Sequence, residues 1–76
     1  MKMETLEKIA NVVNEKMTEP EYTNGWLTLW LDGFVTIHCT RVEINGKIIM
    51  FYQNGCYIGN ALIESVHRIT LHKGVI

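Results

Sequence analysis

The sequence has only two cysteines, one proline and no uninterrupted apolar stretch of membrane-spanning length, and each shortage excludes a class of protein. Two cysteines, Cys39 and Cys56, cannot supply the dense disulfide framework of a small secreted scaffold. The opening run Met1-Lys2-Met3-Glu4-Thr5-Leu6-Glu7-Lys8 also lacks the apolar segment of a secretion signal. The expectation is a cytoplasmic protein with two reduced thiols. Charged residues interrupt every apolar run well short of the ~20 residues that cross a bilayer, so no membrane role is expected. A dominant charge is missing as well. Seven Lys and Arg against eight Asp and Glu give a net charge of −1, which provides no global attraction for phosphate backbones.

The residues of catalysis and metal binding are sparse and scattered. Cys39 is preceded by His38, but neighbours on a strand point to opposite faces, so adjacency does not make a nucleophile and base pair. His38, His67 and His72 lack the spacing of a zinc site, and no C-x-x-C occurs. Asp32 sits in a turn sequence, while Glu43 and Glu64 have no visible acidic partner for general acid-base work. No glycine-rich phosphate loop with a helix behind it is present. The reading is a non-enzyme with no cofactor and no metal.

What is present is strong periodicity. Met3, Leu6, Ile9, Ala10, Val13 and Met17 recur at i, i+3, i+4 spacing, opposite a stripe of Glu4, Lys8, Asn11 and Glu15. This predicts an amphipathic helix over about 3–18, stopped by Pro20, which disfavours helical geometry at the residue before it. From Trp26 the period becomes two. Asp32-Gly33, Asn45-Gly46 and Asn54-Gly55 each carry the signature of a two-residue β-hairpin. Strands are therefore expected near 26–31, 34–44, 47–53, 56–60 and 66–72. The fold class is α+β: one helix followed by a bent antiparallel meander of about five strands, within a single domain spanning 1–76.

Counting outward from three two-residue turns places Trp26 opposite Cys39, Cys39 opposite Tyr52, and Tyr52 opposite Tyr57. Trp30, Val35, Ile37, Arg41, Ile48 and Met50 share that face; Leu27, Leu29, Leu31, Phe34, His38, Val42, Ile44, Ile49, Phe51 and Ile58 occupy the other. Both faces are then largely apolar, and one helix covers only one of them. Within 34–44 the apolar residues switch from odd positions (Val35, Ile37, Cys39) to even ones (Val42, Ile44), so the strand bends near Thr40. A helix followed by about five bent strands resembles Sm-like barrels in element order, which implies a small barrel or a helix-capped sheet.

Two functional expectations follow. Folding 76 residues buries roughly 8,000 Å², of which about 4,600 Å² is apolar, contributing about 115 kcal/mol against a similar ordering cost. A balance near zero and an excess apolar face both favour a homo-oligomer that occupies or sequesters a partner. In size and lack of catalytic groups the chain is similar to small inhibitor and accessory proteins of phages and mobile elements, including those that counter host defence. The alternative is a small-barrel protein that binds nucleic acid or a nucleotide. The candidate partner- or ligand-binding residues are Trp26, Trp30, Arg41, Tyr52, Tyr57 and Arg68, where aromatic rings beside a guanidinium suit stacking or protein docking. The competing reading, favoured for the tyrosines and tryptophans as a group, is core packing or a subunit interface.

Overall fold

A computed structural model describes residues 1–74. Helix α1 spans Met3–Lys16 and buries Leu6, Ala10 and Val13, the centre of the expected apolar stripe. It ends two residues before the expected position, and a short turn leads into a 3₁₀ turn at Pro20–Tyr22. Strands β1 (Trp26–Leu31), β2 (Val35–Cys39), β3 (Arg41–Asn45), β4 (Ile48–Gln53), β5 (Cys56–Leu62) and β6 (Val66–His72) follow. They form two three-stranded antiparallel sheets, ordered β2-β1-β6 and β3-β4-β5.

The bend expected near Thr40 is where one sheet gives way to the other. Strand 34–44 of the sequence reading is two strands, β2 and β3, which makes six strands rather than five. Thr40 fixes the corner through its backbone N–H, which donates to the Tyr52 carbonyl at 2.8 Å. Its hydroxyl lies 3.2 Å from the same carbonyl and accepts from the Asn54 N–H at 2.8 Å. The two inner faces meet α1 in one core, where Leu6, Leu27, Leu29, Cys39, Val42 and Ile49 are fully buried. The arrangement is a helix with a bent meander, and the strands do not close into a barrel.

Three turns were expected to contain two residues each, and one does as written. Asn54 and Gly55 both take positive φ (49° and 85°), the mirror-image turn whose twist matches the flanking strands. The second hairpin turns one residue later, over Gly46-Lys47, so that Asn45 pairs with Ile48. That displacement moves the register by two and leaves every side chain on its expected face. The first turn has three residues, Asp32-Gly33-Phe34, and Leu31 pairs with Val35. One extra residue exchanges the faces of β2. Cys39 lies opposite Leu27 in the core, and His38 moves to the outer face opposite Thr28. A second irregularity, at Phe51/Tyr52, gives β5 an extra residue, so Ile58 leaves the face expected to hold it with Leu27 and Phe51 and stands half-exposed. Phe34, expected on that same face as the first residue of its strand, stays in the loop and is fully exposed with φ of 62°. A bulky residue in that left-handed region costs about 1 kcal/mol or more.

One helix contact escaped the apolar pattern. The Asn14 side-chain amide donates to the Val42 carbonyl at 2.8 Å and accepts from the Val42 N–H at 3.1 Å. Both backbone groups face away from β4, so Asn14 completes the free edge of β3 where α1 crosses it.

Candidate functional site

The six residues singled out from the sequence divide into two groups of three. Trp26, Trp30 and Arg68 lie on the outer face of the β2-β1-β6 sheet; Arg41, Tyr52 and Tyr57 lie on the outer face of β3-β4-β5. The single row across four strands does not form, because the three-residue first turn puts Cys39, its central link, in the core.

On the first face the register is Trp26 opposite His72, Thr28 opposite Thr70 and Trp30 opposite Arg68. The Trp26 ring is stacked on His72 with centroids 5.2 Å apart and planes at 15°, and it meets His38 at 6.2 Å in a tilted pose. The Arg68 guanidinium sits 4.2 Å from the Trp30 ring centroid, a cation–π contact. Trp30 Nε1 donates to Thr70 Oγ1 at 3.1 Å, and that hydroxyl lies 2.9 Å from His72 Nε2. Thr28, between the two tryptophans on β1, is buried. The result is a half-buried aromatic ladder, edged by His38 and Arg68, whose outer-face positions include no carboxylate. His38 and His72 were missed as members of this group. Their link to Trp26 depends on the strand register, which adjacency and spacing do not supply.

The second face is looser. Tyr52 lies opposite both Arg41 and Tyr57, and the two tyrosine rings meet edge-on at 5.8 Å and 66°. Arg41 Nε approaches Glu43 Oε1 at 3.3 Å, so its charge is partly matched by a neighbour on the same strand. Desolvation and the Glu43 carboxylate push the Tyr52 hydroxyl above the usual tyrosine range. Tyr57 accepts a hydrogen bond from Asn60 Nδ2.

A polar cleft of about 470 Å³ opens beside Arg41, between the end of α1 and the Asn54-Gly55 turn. Thr18, Thr23 and Thr40 line it, but their hydroxyls already bond to backbone. Lys73 pairs with Glu21 at 3.1 Å. This ion pair holds Glu21 below and Lys73 above their ordinary ranges.

The two thiols stand in opposite settings. Cys39 is fully enclosed, and burial pushes its thiol up to about 11, with a backbone hydrogen bond at Arg41 opposing weakly. Cys56 is exposed. No group of three His, Cys, Asp or Glu capable of holding a metal occurs among the described residues. No helix among them is long and apolar enough to cross a membrane. A disulfide reagent at pH 8 is therefore expected to modify Cys56 rapidly and Cys39 only as fast as the fold opens; equal rates would contradict this assignment. The raised Cys39 value also sets a pH dependence. A thiol whose folded value exceeds its unfolded one stabilises the fold below the unfolded value, so stability is full below pH 9 and falls as pH rises toward about 11. A Cys39→Ala variant should lose less stability than the parent across that window in urea titrations.

Compared with known protein families, curated proteins and solved structures, the chain matches none.

Proposed function

We propose that the protein is a non-enzymatic binding protein that assembles with copies of itself and acts by occupying a partner. The observation that carries this reading is the free edge of β5. Cys56-Tyr57-Ile58-Gly59-Asn60-Ala61-Leu62 contains no charged residue and no proline, and Tyr57, Ile58 and Leu62 are each about half-exposed. Of the guards that monomeric sheet proteins place on an edge, these seven residues carry only the bulge at Ile58, with no lysine, no proline and no inward charge. In the other sheet β6 (Val66–His72) is likewise an edge strand, although its first carbonyl, at Val66, already accepts from the Met1 amine at 2.9 Å. Pairing β5 of one copy with β6 of another satisfies both edges at once, and such head-to-tail contacts close into rings or extend as filaments. Cys39 turns fully inward and Ile37 partly so, which removes part of the excess apolar face expected from the sequence and leaves the edge as the motive for assembly.

Sedimentation velocity tests the reading. Species larger than the 8.8 kDa chain are expected at micromolar concentration, and a well-folded monomer throughout that range would end it.

A second reading is favoured by the Trp26–Trp30 ladder with Arg68 and His38 and no carboxylate among its outer-face positions: a nucleotide or single strand bound by stacking, with the guanidinium toward phosphate. Titration of tryptophan fluorescence with short oligonucleotides and mononucleotides at low salt separates the two. Quenching supports the second reading, and unchanged emission removes it.

A further inference from the structure

We infer that the Asp32-Gly33-Phe34 loop is a self-complementary docking device, in which Phe34 of one copy seats in the cleft beside Phe34 of a second copy. Phe34 is the most exposed large apolar residue of those described, with 104% relative exposure, so its ring has essentially no packing partner in its own chain. It is nevertheless held at φ of 62°, where a glycine or asparagine is at ease and a phenylalanine is not. Strain combined with complete exposure stabilises nothing in a single chain and is useful only in a contact.

The receiving site adjoins it. Trp30, Leu31, Gly33, His67 and Arg68 wall a mainly apolar cleft of about 410 Å³, with Phe34 at its rim. Val35, half-exposed next to Phe34, extends the apolar surface.

Three properties select a second copy as the occupant. First, knob and cleft lie side by side on one patch, as a two-fold interface requires, because each copy must present both halves. Second, the patch carries both signs of charge. Asp32 pairs with His67 within the chain, yet both remain about two-thirds exposed, and Arg68 lies on the same rim. A two-fold places the Asp32 of each copy near the Arg68 and His67 of the other. A uniformly charged patch would repel its own copy; this one does not. Third, the size is self-consistent. Two seated phenyl rings and the walls they cover remove roughly 600–1,000 Å² in total, below the ~1,600 Å² of a standard interface. The contact is therefore a weak, exchanging one rather than a permanent dimer.

The inference is independent of the β5 edge, and two variants keep them apart. Phe34→Asn removes the knob while tolerating the left-handed backbone, so the chain should fold with an equal or higher melting temperature. Ile58→Lys guards the edge and leaves the loop intact. Sedimentation and translational diffusion are measured from about 20 µM to 1 mM, a range that brackets weak association. Phe34→Asn is expected to lower the mass of the largest species, and to abolish a concentration-dependent blue shift of tryptophan emission reporting closure over Trp30. In the Ile58→Lys background the limiting species should be twice the 8.8 kDa chain mass, and Phe34→Asn should return it to a monomer. Masses and emission unchanged by Phe34→Asn in both backgrounds would overturn the inference. Ile58→Lys with wild-type mass, alongside a halving by Phe34→Asn, would overturn the edge and leave the loop contact standing.

Discussion

Replacing Asn14 with leucine is expected to cost about 3 kcal/mol, a large part of the stability of a chain this short. Marginal stability of ~0.05–0.15 kcal/mol per residue gives 76 residues about 4–11 kcal/mol in all. Leucine preserves bulk and helix propensity, so the loss comes from the backbone it abandons. Val42 is fully buried, and its N–H and C=O both turn toward α1, where the Asn14 amide accepts from one at 3.1 Å and donates to the other at 2.8 Å. Each such group left unpaired in the interior costs about 1–3 kcal/mol. Asn14→Asp retains an acceptor for the N–H but directs a carboxylate at the Val42 carbonyl, so it too should be destabilising, more so above the carboxylate titration than below it. Urea denaturation measures both. A leucine variant within 0.5 kcal/mol of wild type would mean that the two backbone groups find other partners.

Asn14 also illustrates where the sequence is legible. The helix, the β5 turn at Asn54-Gly55 and the corner at Thr40 follow from local chemistry: apolar spacing, paired positive-φ residues and a switch of apolar parity. Such signals are written in residues that serve the element they sit in. Asn14 serves a different element, the edge of β3, 28 residues away, and nothing in the helix pattern marks it. The first turn was misread for a related reason. Asp32-Gly33 completes a two-residue hairpin only if Phe34 enters the strand, and phenylalanine is a poor guess for a left-handed third loop position. That single residue exchanges the faces of β2, removes Cys39 from the aromatic row and places His38 beside Trp26. The pairs whose register does not depend on that turn survive it. Tyr52 and Tyr57 meet across the Asn54-Gly55 hairpin as counted, whereas the pairing of Trp30 with Arg68 involves β6, whose register none of the three turns supplies. Register errors therefore spread outward from the turn that causes them, and a site spanning three turns depends on all three.

The edge of β5 carries the second large expected effect. Ile58 is the extra residue of its strand, pushed out of the ladder by the shift between Phe51 and Tyr52, and it is half-exposed with no charge anywhere from Cys56 to Leu62. A lysine there sits where a neighbouring copy's strand would have to lie, and on assembly its ammonium must either be desolvated or force the strands apart. A penalty of about 3 kcal/mol corresponds to at least a hundredfold weaker association. The single chain should barely notice, since surface substitutions clear of packing change stability by about 0.5 kcal/mol or less. Leu62→Lys, at the other end of the same edge, is expected to act in the same direction. Val12→Lys, at an exposed position on α1 and outside both edge strands, should leave the assembled mass unchanged. Sedimentation of the three variants beside wild type separates a specific edge from general surface hydrophobicity. If both edge lysines leave the mass unaltered, β5 is not the assembly surface; if Val12→Lys lowers it equally, the association has no defined edge. A drop confined to Ile58 and Leu62 would mean that this strand is left bare because another copy covers it.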